Sequence, residues 1–305
     1  MRNPALAALT LVITMSDPTS ARAAGPAPTA LAKPQQPAAA AAPASPADAW
    51  KAWRERRETN LKREDGWLAL VALDWLDPGE NKVANLPGKF VVEGAPGAWK
   101  VRLEAAAADG WTLDGAPVTS HVLATDAAEK PDRLRRGTVQ LQVIERGPKV
   151  ALRVWDSASP VRASFHGVDT FPYDPRWRLE GTWEPFPVPK EVETPSVVGI
   201  PSKEKVPGRV RFTIDGKAYT LEPTQEEPGG DLFFVFRDQT SRKETYGAGR
   251  FLYAPLPKEG KVVLDFNRAY NPPCAFTPHA TCPLPRPENV LAVRIEAGER
   301  RFRDH

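Results

Sequence analysis

The only two cysteines of this 305-residue chain lie close together in a proline-rich stretch, YNPPCAFTPHATCPLP (Tyr270–Pro285), with His279 between them. Two thiols and an imidazole could hold a metal, run thiol–disulfide exchange or close a structural loop. Zinc takes thiolates and nearly always a fourth ligand, and C-x4-H-x2-C is not a standard knuckle spacing. A C-x-x-C redox pair is absent. An isolated pair in an exported chain reads as a structural disulfide, Cys274–Cys282, worth roughly 2–3 kcal/mol through loop entropy. Metal ligation and free thiols are the alternatives, and neither a metal nor a cofactor is expected. Pro272, Pro273, Pro278, Pro283, Pro285 and Pro287 forbid a regular ladder, which makes this a stiff loop covering something.

Two polar segments flank the loop. In KVVLDFNRAYN, strand alternation puts Val263, Asp265 and Asn267 on one face, with Arg268, Tyr270 and Asn271 just beyond. In FFVFRDQTSRKETYGAGR the polar groups are Arg237, Asp238, Thr240, Glu244, Thr245, Tyr246 and Arg250, with Gly247 and Gly249 allowing close backbone approach. Together they could form a pocket for a small anionic or hydrogen-bonding ligand, or for a protein partner. A buried ion network would look the same in sequence. As an enzyme, the chain would be a hydrolase using Asp238, Glu244 or Asp265 with Tyr246 or Tyr270. Standard signatures are missing: there is no G-x-S-x-G, H-E-x-x-H, P-loop or G-x-G-x-x-G. A Ser–His–Asp triad drawn from His121, His166, His279 or His305 has no local support.

The elements that position these residues are short strands. DAWKAWRERRETNLKRED reads as an amphipathic brace helix over residues 47–66, capped by Ser45, with Trp50, Trp53 and Leu61 on one face and Gly66 as the stop. WLALVALDWL, KFVVEG, WKVRLEA, WTLDG, GTVQLQVIE and KVALRVWD follow, bounded by Gly, Pro or Asp, and read as a β-sandwich over 67–170. Gln140 and Gln142 alternate with Leu141 and Val143, so one face of that strand is expected to be wet. A C-terminal β subdomain over 171–300 holds the clasped loop. Its clearest hairpin, RVRFTIDGKAYTLEP, turns at Asp215-Gly216. The fold class is therefore all-β: two antiparallel sandwich or barrel-like subdomains and one brace helix. Trp67, Trp75, Trp111, Trp155 and Trp177 sit in strand-like apolar contexts and read as core rather than a carbohydrate platform.

Residues 1–23 read as a signal peptide: Arg2, the apolar run ALAALTLVIT, and Ala21–Ala23 as a small-x-small cleavage site. Residues 24–46, rich in Ala and Pro, read as a flexible tether. The expected location is therefore periplasmic or secreted, with no transmembrane segment. The net charge of +3 is too small to argue for nucleic acid.

The motifs ETYGAGRFLYAPLP, LDFNRAYNPPCAFT, TCPLPRPENVL and IEAGE together resemble the bacterial and archaeal domain-of-unknown-function family 1684. GWLALVALDWLDPGEN and LRVWDSASPVRASFHG resemble its N-terminal half, extending the likeness over roughly Trp50 to Glu299. The resemblance implies a fold family and brings no mechanism. A looser likeness of WTLDGAPV and LRRGTVQLQVI to a forkhead-associated sandwich would imply a phosphopeptide reader, whose Gly-Arg and Ser-x-x-His contacts have no clear counterpart here. The expected function is an exported ligand-binding or interaction module.

Overall fold

The computed structural model describes residues 45–302 other than 226 and 228; the stretches expected to be a signal peptide and, nearly all of it, a tether lie outside the described residues. Helix α1 spans Pro46–Leu61. Ser45 Oγ accepts from Asp48 N at 3.1 Å, and Pro46 takes the first turn, where its missing N–H is no loss. The helix stops short of Gly66, the stop expected from the sequence. Lys62 closes it by donating to the carbonyls of Glu58 and Asn60. Gly66 instead sits tight beneath the helix end, where a Cβ would lie 2.5 Å from the Leu61 carbonyl oxygen. Trp50 and Leu61 are buried, as the apolar stripe requires.

The N-terminal half is a sandwich of two antiparallel sheets. One runs β1 (Leu70–Leu76), β10 (Lys149–Asp156), β9 (Val139–Arg146), β8 (Leu134–Arg136), β5 (Thr112–Leu113) and β6 (Ala116–Pro117). The other runs β2 (Gly79–Asn81), β3 (Lys89–Glu93), β4 (Lys100–Glu104) and β7 (Ser120–Leu123). Between them lie Phe90, Val92, Val101, Leu103, Trp111, Leu141, Val143, Leu152 and Val154. Each fully buried side chain of this size contributes about 1.5–3 kcal/mol. Trp155 and Trp177 are buried like Trp111, while Trp67 and Trp75 are half-buried.

The C-terminal half pairs β13 (Lys217–Leu221), β12 (Ser202–Ile214), β11 (Arg178–Thr194) and β16 (Lys261–Asp265), with β14 (Leu232–Phe236) and β15 (Arg250–Ala254) as a separate ribbon. Asp215 and Gly216 both take positive φ, 49° and 75°, which gives the expected tight hairpin turn. Val210, Phe212, Ile214 and Leu221 enter a core with Phe234, Phe236, Leu264 and Phe266. The architecture is all-β apart from α1 and short single turns.

The face of β9 expected to be wet is covered. Gln140 and Gln142 are buried, on the side of the sheet away from the sandwich core. The C-terminal loop docks beside them: Thr277 Oγ1 donates to Leu70 O at 2.9 Å, and Arg146 Nε donates to Thr281 Oγ1 at 3.2 Å. Helix α1 is tied to the C-terminal half, with Trp50 Nε1 donating to Asn267 O at 2.8 Å. Among the described residues no helix is long and apolar enough to cross a membrane.

Candidate functional site

The structure distributes the C-terminal polar residues among several small networks. The first is a buried knot. Arg250 Nη2 lies 3.2 Å from Asp238 Oδ1, and neither side chain reaches solvent. Asp238 also accepts from Thr240 Oγ1 at 2.9 Å and from Ile295 N at 2.7 Å, and Thr240 meets Thr245 at 2.9 Å. Arg250 donates further to the carbonyls of Ile295 and Ala297. Gly249, at φ 104°, lets the chain enter this knot, since a Cβ there would lie 2.6 Å from Phe236 O.

The second network corrects the expected strand geometry. β16 ends at Asp265, and Phe266–Arg268 form a single 3-10 turn, so Asp265 and Asn267 do not share a strand face. Asp265 instead caps the turn: its Oδ1 accepts from Asn267 N at 3.2 Å and Nδ2 at 3.0 Å. Arg268 Nε lies 3.5 Å from Asp265 Oδ2. Asn267 also clamps Asp174, accepting from its N–H and donating to its carbonyl, each at 3.0 Å.

The third joins the helix to the motif segment. Glu299 Oε2 accepts from Asn271 N at 2.7 Å, and Glu299 Oε1 accepts from Arg57 Nε at 2.9 Å. Arg57 also donates to Asn271 O at 2.8 Å and lies 4.5 Å over the Tyr270 ring. Asn271 Nδ2 donates to Arg300 O at 2.7 Å. Neither Arg57 nor Glu299 was expected from the sequence. Arg57 follows Trp50 and Trp53 at helical spacing on their face, and that spacing is the signal that could have found it.

Three residues stand apart. Glu244 pairs at the surface with Arg294, at 2.8 Å. Arg237 is tied by its backbone to Asn289 and Leu291, and its Nε is buried with no hydrogen-bond partner among the described residues. Tyr246 Oη donates to Cys274 O at 3.0 Å, and burial pushes its phenol pKa up.

Cys274 and Cys282 lie side by side, with both thiols free in this structure. Cys274 N donates to Cys282 Sγ at 3.1 Å. The thiol–thiol hydrogen bond from Cys282 lowers the Cys274 pKa, while burial drives Cys282 well up. His279 faces Asp74 instead; burial lowers the imidazole pKa and raises the Asp74 carboxyl. Among the described residues no three His, Cys, Asp or Glu side chains gather as metal ligands.

Chemically, each candidate carboxylate already has an arginine: Asp238 with Arg250, Asp265 with Arg268 and Glu244 with Arg294. Such pairs hold loops together, and a general base needs a proton to abstract within hydrogen-bond reach.

A family profile described as "Protein of unknown function (DUF1684)" matches residues 163–300, so the likeness read from Trp50 onward is matched over the C-terminal half. No curated protein matches the chain. Among solved structures, the solution NMR structure of an uncharacterized protein of Haloarcula marismortui is 30% identical. The match covers 46% of this chain and 78% of that one, with a TM-score of 0.39. The matched span takes in every motif residue from Arg237 to Glu299 that builds the three networks, and the chain belongs to the DUF1684 family of proteins of unknown function.

Proposed function

We propose that the chain is an exported, extracytoplasmic ligand-binding or interaction module and not a hydrolase. The observation that carries this is the pairing of each candidate carboxylate with an arginine. Hydrolysis by Asp238, Glu244 or Asp265 would need a carboxylate held near neutral pKa beside room for a substrate. Asp238 is enclosed with Arg250, and Asp265 is spent capping its own turn. A binder needs only complementary donors and a rigid frame, and the networks that fix Tyr270, Asn271 and Arg268 beside the proline-rich loop supply the frame. The signal-like N-terminus supports export. In an oxidising compartment the two adjacent thiols would close as a disulfide and stiffen that frame further.

A thermal-shift screen of the full chain tests this reading, with carboxylates, phosphates, sugars and short peptides as probes. A saturable rise in Tm with at least one class is expected. A flat response across all four, together with turnover of any ester, amide or glycoside, refutes it.

A further inference from the structure

On the covered outer face of the N-terminal sheet, three buried donors have no acceptor among the described residues: Arg153 Nε, Arg133 Nη1 and Trp155 Nε1. They are neighbours. The Arg133 guanidinium lies 4.7 Å over the Trp155 ring, and that of Arg153 lies 5.9 Å from Trp155 and 5.5 Å from Trp67. Across the ladder, Arg153 pairs with Gln142 and Trp155 with Gln140. Both glutamines are buried, and neither amide makes a hydrogen bond among the described residues.

Charge is unbalanced at the same place. Asp126 is the carboxylate that acts on both guanidiniums, and it is engaged by Arg146 at 2.7 Å and by Glu145 N at 2.9 Å. Asp65, which also acts on Arg133, is held by Arg63 at 2.9 Å. Arg153 is 9% exposed and forms no ion pair among the described residues. Burial, with Arg146 adding repulsion, pulls its pKa down to about 9. A buried polar group without a partner is costly, and a guanidinium at a protein core edge nearly always has a carboxylate. An unpaired one flanked by amide and indole donors matches the planar fork by which arginine holds two oxygens of an anion.

We propose that this face is a binding subsite for the oxyanion head group of a small organic acid, a carboxylate or a phosphate, centred on Arg153 with Arg133, Trp155 Nε1 and Gln142 as supporting donors. The site shares no residue with the C-terminal networks. It lies at the seam between the two halves, with Trp67 in contact with both, where ligand sites commonly form.

The test measures thermal unfolding of the full chain in benzoate, inorganic phosphate and chloride at equal ionic strength. The variants are Arg153→Gln, Arg153→Met and, as a control on the exposed edge of the same face, Arg135→Gln. Wild type should show a saturable Tm rise with benzoate or phosphate beyond that with chloride, and Arg135→Gln should keep it. Both Arg153 variants should lose it, and ligand-free Arg153→Met should melt higher than wild type because the unpaired buried cation is gone. A response to benzoate alone marks a carboxylic acid, and one to phosphate alone a phosphorylated ligand. No saturable rise in wild type overturns the proposal, as does an equal rise in Arg153→Met. Wild-type crystals soaked in the responding anion give a check free of mutation: an anion found away from Arg153 overturns it too.

Discussion

Arg250 and Asp238 face each other at 3.2 Å with both side chains sealed from solvent. Removing either partner leaves a buried charge uncompensated. Arg250→Leu or Asp238→Asn should therefore lower unfolding free energy by about 3–5 kcal/mol, read from urea denaturation. A change below about 1 kcal/mol would mean that the knot is not structural.

The adjacent thiols give a second prediction. Protein recovered from an oxidising compartment and alkylated without reductant should carry no label on Cys274 or Cys282. Replacing both with serine should cost roughly 2–3 kcal/mol, less if the prolines already restrain the unfolded loop. Two labelled thiols in freshly isolated protein, by mass spectrometry, would show that the loop works without its clasp.

Export is checked by N-terminal sequencing. Mature protein should begin near Ala24, and an intact Met1 terminus in the cytoplasm would remove both the compartment and the reason for oxidation.

His279 sets a pH dependence. Its folded pKa is lowered, chiefly by burial, so below about pH 6.5 the unfolded chain binds a proton that the folded one resists. Stability from this group is present above that pH and lost as pH falls through the folded pKa. Asp74, whose pKa burial raises, acts in the opposite direction at lower pH. The Tm of His279→Gln relative to wild type should rise between pH 7 and pH 5. A constant difference would mean that His279 titrates as it does in water.

Local signals made parts of this legible in sequence. Ser45-Pro46 marked a helix start, Asp215-Gly216 marked a hairpin, and the proline-rich spacing of Cys274 and Cys282 marked a loop that brings two thiols together. What failed were positions decided by partners remote in sequence. Asp265 and Asn267 looked co-facial because alternation assumes a continuing strand, whereas Asp265 ends the strand by capping the next turn. Gln140 and Gln142 looked wet because nothing in β9 tells that this face will be buried, with the loop carrying Thr277 and Thr281 docked beside it. Arg57 and Glu299 come from opposite ends of the folded chain, and only the fold makes them a pair.

Turnover decides whether the paired carboxylates hydrolyse a substrate. The full chain, Glu244→Gln and Asp265→Asn would be assayed side by side against ester, amide, glycoside and phosphoester substrates, with circular dichroism to confirm folding. The predicted result is no turnover by wild type above a buffer blank. Wild-type turnover that disappears in a folded Glu244→Gln or Asp265→Asn variant would make the chain a hydrolase acting through that carboxylate.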